Sequence, residues 1–174
     1  AHWPHALLAT STHDTKRGED VRSRINVLSE IPERWRAALA SWAKHNRRFR
    51  VKVDETVAPD RNEEYLLYQT LLGAWPSAPM DQPQYEEFKQ RIEQYMIKAI
   101  REAKVHTGWI NPREDYEEGV KRFVQAILDR SVSNPFLDEF LPFQAFVARC
   151  GMNNSLAQLL VKITAPVIPA CYQG

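Results

Sequence analysis

The longest unbroken period in the sequence constrains its fold most. From about Gln82 to Val105, Tyr85, Phe88, Ile92, Tyr95, Met96, Ala99, Ile100 and Ala103 recur at helical spacing over several turns. Such a stripe requires an amphipathic α-helix with one face buried. Its charges agree, acidic near the N-terminal end and basic near the C-terminal end, the sense that the helix dipole favours.

Other stretches follow the same grammar. Val21, Ile25 and Leu28 mark one short helix, Ser29 to Pro32 interrupts it, and Trp35, Leu39 and Trp42 mark a second. Phe49 to Pro59 is the least periodic part, and Val51, Val53 and Val57 suit either a short extended piece or a loop. Asp60 and Glu63 have capping-box spacing, Glu64 adds an acidic first turn, and Tyr65, Leu66, Tyr68, Leu71 and Leu72 form the stripe, which Gly73 to Pro79 ends. Tyr116, Val120, Phe123, Val124, Ile127 and Leu128 make a further stripe. Asn134 with Pro135 starts another, carrying Leu137, Phe140, Leu141 and Val147, and Gly151 separates it from Leu156, Leu159, Leu160 and Ile163.

The fold class is therefore mainly α, with about six helices. The ends differ. Trp3 to Thr12 predicts a strand with Pro4 near its start. At the other end Pro166 and Pro169 exclude helix, while Val167 and Ile168 suit a short strand leading into Tyr172 and Gln173. Strand, helical block, strand predicts a helical insertion bracketed by two strands of a (β/α)8 barrel. The boundaries are 1–17 for the first strand and its loop, 18–164 for the helical block and 165–174 for the next strand.

Chemistry concentrates in two places. Across Ala6 to Arg22, Leu7, Leu8 and Ala9 give way to polar residues and then to His13 and Asp14, with Lys16, Arg17 and a direction-changing Gly18 close behind. A carboxylate and an imidazole at the mouth of a strand are how parallel α/β folds present catalytic groups. The alternative is a helix cap with a polar neighbour. The second place, Lys104 to Pro112, gathers Lys104, His106, Trp109 and Asn111 in one connection. Its alternative is an ordinary loop in which Trp109 fills the core and Asn111 caps a helix whose first residue is Pro112. The remaining carboxylates, Glu63, Glu86, Glu93 and Glu117 among them, are expected on solvated helix faces.

Composition narrows the partners. A net charge of +1 on 174 residues argues against a dedicated nucleic-acid binder, and the run Arg47, Arg48, Arg50, Lys52, with only Phe49 interleaved, is expected to be a solvated helix end. No apolar run approaches a bilayer span, and no leader pattern opens the chain. Cys150 and Cys171 lack metal-type spacing and are expected to be reduced, partly buried thiols of a cytoplasmic protein. An HD-type metal phosphohydrolase needs further His and Asp ligands, and His2 and His5 stand at irregular spacing from His13, so no metal is expected. A non-catalytic helical carbohydrate-binding or interaction module remains a second class.

Several longer strings carry a resemblance: STHDTKRGEDVR (Ser11 to Arg22), DRNEEYLLYQTLLGAWP (Asp60 to Pro76), REAKVHTGWINP (Arg101 to Pro112), NPFL (Asn134 to Leu137) and NNSLAQLLVKITAP (Asn153 to Pro166), ending on YQG. On these, the chain resembles the maltooligosyl trehalose synthase family of the α-amylase superfamily over essentially its whole length. It departs from the family pattern at Gly108, where serine is usual, and at VIPACYQG, where GVPDIYQG is usual.

The resemblance implies conversion of the reducing-end α-1,4 linkage of a maltooligosaccharide to an α,α-1,1 linkage, without a cofactor. The clustering of Lys104, His106, Trp109 and Asn111 in one break between helices suggests a wall over the reducing-end glucose, and Arg17 and Tyr172 are expected sugar contacts. The resemblance implies that Asp14 is the transition-state stabiliser and that His13 and Lys16 bind sugar. It places the nucleophile and the general acid before Ala1, so the segment alone is expected to be inactive. Its partners would be the oligosaccharide and the rest of the barrel, with no nucleic acid and no membrane. In an isolated segment the apolar ends, Leu7, Leu8, Val167 and Ile168, would be covered by the helical block or by another copy of the chain.

Overall fold

The structure is a computed structural model and describes residues 6–172. It is 66% helical. In chain order the elements are β1 (Leu7–Ala9), α1 (Glu19–Glu30), α2 (Pro32–Asn46), a 3-10 turn (Arg47–Phe49), β2 (Val51–Val53), β3 (Thr56–Ala58), α3 (Arg61–Ala74), α4 (Gln82–Ala103), α5 (Glu114–Ile127), α6 (Pro135–Thr164) and β4 (Ile168–Ala170).

The start signals act as their chemistry dictates. Asp60 accepts from the Glu63 amide at 2.8 Å and Glu63 accepts from the Asp60 amide at 2.9 Å, so two orphan donors of α3 are satisfied. A second capping box, Asp81 with Gln84, opens α4. That helix ends on Lys104, whose left-handed φ of 56° turns the chain out of the helical path.

One part of the core is an aromatic cluster. Trp42 is fully buried and meets Trp35, Tyr68, Phe136, Phe140 and Phe143 at centroid separations of 5.3 to 5.7 Å, joining α2 and α3 to α6. Such pairs add about 0.5–1.5 kcal/mol each beyond area burial. Trp75, Tyr85 and Phe88 extend this cluster, and Met96, Ile100, Tyr116 and Phe123 fill the space between α4 and α5.

Several expectations change. The least periodic stretch is an antiparallel hairpin, Val51 opposite Ala58 and Val53 opposite Thr56, packed on α5. The first strand is shorter than Trp3 to Thr12, and Trp3, Pro4 and His5, like His2 and Gln173, lie outside the described residues. Gly151 does not separate two helices: α6 runs through it, and the glycine serves the packing of α1, since a Cβ there would come within 2.9 Å of the Arg24 Cα. Gly18 has φ −63° and ψ 167°, extended backbone open to any residue, so the change of direction there does not require glycine. Cys150 is half-buried as expected, whereas Cys171 is exposed.

The two chain ends meet. β1 and β4 pair in parallel, Leu7 opposite Ile168 and Ala9 opposite Ala170, and among the described residues no further strand joins them. A parallel pair needs a long crossover, and the whole helical block is that crossover.

Candidate functional site

Parallel pairing sends both strands out of the sheet on the same side, so the loop after β1 meets the segment after β4. His13, Arg17 and Glu19 from one side line a cavity of about 770 Å³ with Lys162, Cys171 and Tyr172 from the other. The turn at its edge is closed locally, since the Thr15 amide donates to the Thr12 carbonyl at 3.0 Å and the Thr12 amide donates to Thr15 Oγ1 at 2.9 Å. His13 Nε2 stands 3.2 Å from Asp14 Oδ2, and both side chains are solvent-facing. The second carboxylate oxygen, Oδ1, has no such neighbour among the described residues and can accept from a ligand.

Lys16 and Arg17 turn away from that pair toward the helices. Lys16 Nζ reaches Glu102 Oε2 at 3.3 Å, and Arg17 donates to Thr70 Oγ1 at 3.3 Å. Arg17 also lines the cavity beside His13, whereas Lys16 is bound to the last turn of α4.

The connection from Lys104 to Pro112 begins one residue beyond that turn. Its Trp109 is 57% exposed rather than plugging the core, with the Arg101 guanidinium 5.0 Å from its ring centroid. Asn111 and Pro112 are exposed too, and α5 starts only at Glu114, so neither caps it. Lys104, Trp109 and Asn111 border a shallow hollow of about 440 Å³. His106 lines the same hollow but is pinned from behind: Nε2 lies 2.9 Å from Asp60 Oδ2, and the ring stacks at 4.7 Å on Tyr116.

The carboxylates beneath this loop are not solvated. Glu63, Glu64 and Glu117 are buried, contrary to the expectation for Glu63 and Glu117, because each has found a partner far along the chain or on its own helix. Glu117 takes a two-pronged bond from Arg101, Nε at 2.7 Å and Nη2 at 2.5 Å, and accepts from Thr107 at 2.8 Å. These bonds, Arg101's foremost, hold its carboxyl below the usual glutamate value. Glu63 accepts from the Tyr116 hydroxyl at 2.5 Å, yet burial still pushes it up. Asp60 is raised by burial, but the Glu63 amide and His106 outweigh that and hold it low.

Asp60, Glu63 and His106 could present one ligand atom each within 4.8 Å of one another. Each of those groups is already used inside the protein, in the capping box, on Tyr116 or on Asp60, so the cluster acts as an anchor for the loop. It does not include His13 or Asp14.

Sequence reasoning missed Arg101, Thr107, Glu19 and Lys162, whose partners lie on other elements, beyond the turn of helix or strand in which each stands. Only Lys162 left a mark, as the one charge inside the apolar run from Leu156 to Ile163.

Comparison with known proteins fits this geometry. No family model matches the chain. A protein named as a maltooligosyl trehalose synthase in Mycobacterium tuberculosis is 35% identical over 172 residues, 99% of this chain and 20% of that protein. The chain matches one segment of the maltooligosyl trehalose synthases. A solved maltooligosyl trehalose synthase shares 39% identity at a TM-score of 0.79, over 97% of this chain and 21% of its own. A hypothetical maltooligosyl trehalose synthase of Sulfolobus tokodaii gives 36% and 0.79 over the same shares. The enzyme of Arthrobacter ramosus gives 32% and 0.76, over 98% of this chain and 20% of that one. The chain thus spans about a fifth of the length of the synthases it matches.

Proposed function

We propose that this chain is the part of a maltooligosyl trehalose synthase that lies between two neighbouring strands of a (β/α)8 barrel, and that it supplies one catalytic carboxylate and a wall of the sugar site. The observation that carries this reading is the parallel pairing of β1 with β4, which brings His13 and Tyr172 to one cavity at the C-terminal ends of both strands. That end is where such barrels hold their active sites. On this reading residues 1–17 and 165–174 belong to the barrel, and 18–164 form the helical insertion.

The reaction is intramolecular. The reducing-end α-1,4 bond is broken through a glycosyl-enzyme intermediate, and the released glucose returns through its own anomeric hydroxyl to give the α,α-1,1 bond. The nucleophile and the acid come from outside this segment, so the segment alone is inactive. Asp14 stabilises the oxocarbenium-like transition state, because its contact with ring hydroxyls strengthens as positive charge develops at the anomeric carbon. His13, Arg17 and Tyr172 line the sugar cavity beside it, and Lys16 sits at the margin of the same loop.

Retention of the cleaved glucose is the second requirement, since water must not reach the intermediate first. The exposed face of Trp109, with Lys104, His106 and Asn111 around it, provides the wall. Its support is that Lys16 ties the catalytic loop to Glu102 while the adjacent Arg101 lies against Trp109, so both places are moored to one helix end.

One assay tests both parts. The intact enzyme converts maltopentaose, and loss of reducing ends and release of free glucose are followed together. Asp14→Asn lowers the rate by roughly a hundredfold or more, the scale for removing a transition-state electrostatic partner. Trp109→Ala raises the share of free glucose. An Asp14→Asn enzyme of undiminished rate overturns the catalytic assignment, and an unchanged product ratio overturns the wall.

A further inference from the structure

The last turn of α6 is inverted. Leu159, Leu160, Val161 and Ile163 are half or more exposed, while Lys162 among them is only 5% exposed. An ammonium is costly to bury unless it is paired, and an apolar residue in its place would face no such cost. Lys162 Nζ donates to Thr10 Oγ1 at 3.0 Å and lies 3.7 Å from Glu19 Oε1.

Thr10 is the residue at which these contacts converge. Its hydroxyl donates to Glu19, its carbonyl accepts from Arg22, and the next side chain, Ser11, donates to Glu19 at 3.2 Å. Thr10 directly follows β1, and the closed turn from Thr12 to Thr15 comes next. Once Thr10 and that turn are fixed, the backbone that carries Asp14 is held on both sides. The chain from Lys162 through β4 and across to β1 completes a ring that Lys162 closes.

We infer that Lys162 is a positioning residue: through Thr10, with Glu19 as its counter-charge, it holds the strand-end loop that presents His13 and Asp14. The inference rests on the functional reading above for the role of Asp14. It assigns to a residue 148 positions beyond Asp14 in the chain, on a helix outside the loop, the task of aiming the catalytic carboxylate. Misplacement of a catalytic group by about 1 Å costs on the order of a hundredfold.

The test uses the intact enzyme on maltopentaose with four variants: Lys162→Met, Lys162→Arg, Thr10→Val and Asp14→Asn. Lys162→Met lowers kcat about tenfold or more with KM within about threefold, as for a group that acts on the transition state, and Lys162→Arg recovers most of the loss. Thr10→Val reproduces the kcat loss, and the double variant Lys162→Met with Thr10→Val is no worse than the poorer single one, since both remove the same contact. A kcat within twofold of the parent for both single variants, or losses that multiply in the double variant, overturns the inference while an inactive Asp14→Asn leaves the functional reading standing. An active Asp14→Asn overturns both. Where Lys162→Met fails to fold, Lys162→Gln takes its place in the single and double comparisons, because Thr10→Val also removes the bond of the hydroxyl to Glu19 and cannot test Lys162 alone.

Discussion

Glu63, Glu64 and Glu117 give this fold a pH dependence with two limbs. Burial holds Glu63 and Glu64 above the ordinary glutamate value of 4.5, with hydrogen bonds from Tyr116 and Tyr68 opposing it in part. Groups raised on folding stabilise fully below the unfolded-state value and lose that contribution as pH rises through the raised one. Glu117, held low by Arg101, has the opposite sign: its contribution is complete above the unfolded-state value and is lost as pH falls through the lowered one. The melting midpoint of the chain therefore rises as pH falls from neutral toward the ordinary glutamate range, then drops below it. Thermal unfolding followed by circular dichroism across this range checks the shape, with Glu63→Gln flattening the first limb and Glu117→Gln the second. A midpoint that only falls from neutral pH downward contradicts the assignment. The sequence displayed half of this chemistry. Asp60 and Glu63 are legible as a cap because both partners lie within one helical turn, whereas the bond of Glu63 to Tyr116 joins residues 53 apart and leaves no local trace.

At the scale of the element, α6 separates what a window of sequence can tell from what it cannot. Its two apolar runs and its Asn134 cap were legible, and so was the absence of helix beyond Pro166. Its continuity was not, because glycine weakens a helix in isolation while here it serves contact. Without a side chain at 151, α1 comes close enough for Asn154 to donate to the Ser23 carbonyl at 3.2 Å and Ser155 to Asp20 at 2.9 Å. Gly151→Ala would place a Cβ 2.7 Å from the Arg24 Cγ and 2.9 Å from its Cα, and a backbone atom cannot swing aside. The substitution should cost about 1–3 kcal/mol, the scale of overpacking, despite the higher helix propensity of alanine. Gly18→Ala is the control: no atom lies within 4 Å of its Cβ position, and at an N-cap the change from glycine costs under about 1 kcal/mol. Urea unfolding of the two variants side by side checks the pair. Equal midpoints would mean that α1 and α6 are not held at the separation this glycine permits. The hairpin of β2 and β3 is the converse case, since three-residue strands carry too short an alternation to stand out in sequence.

For the whole molecule, the unequal halves of α6 are the informative feature. Its first half buries Phe136, Leu137, Phe140 and Val147, and its second half leaves Met152, Leu156, Leu159, Leu160 and Ile163 exposed next to the open pair of β1 and β4. Scattered exposed leucines are ordinary, but a contiguous apolar face ending at a two-stranded parallel pair with open outer edges is not. The synthases that the chain matches are about five times its length, and on the barrel reading their further strands and helices cover this face. Expressed alone, the 174-residue chain should therefore self-associate, with light scattering after size exclusion giving a mass above that of one chain. Covering a half-exposed leucine returns about 1 kcal/mol, and each of these side chains adds to the drive for association. Leu156→Gln with Leu160→Gln should shift the chain toward monomer, and at concentrations where both chains are monomeric its melting midpoint should match the parent's, because neither side chain belongs to the core. Loss of stability in that variant would instead make the face part of the folded interior, and a monomeric parent chain would remove the need for a covering barrel. The two measurements together separate a segment that has lost its neighbours from a domain that is complete in itself.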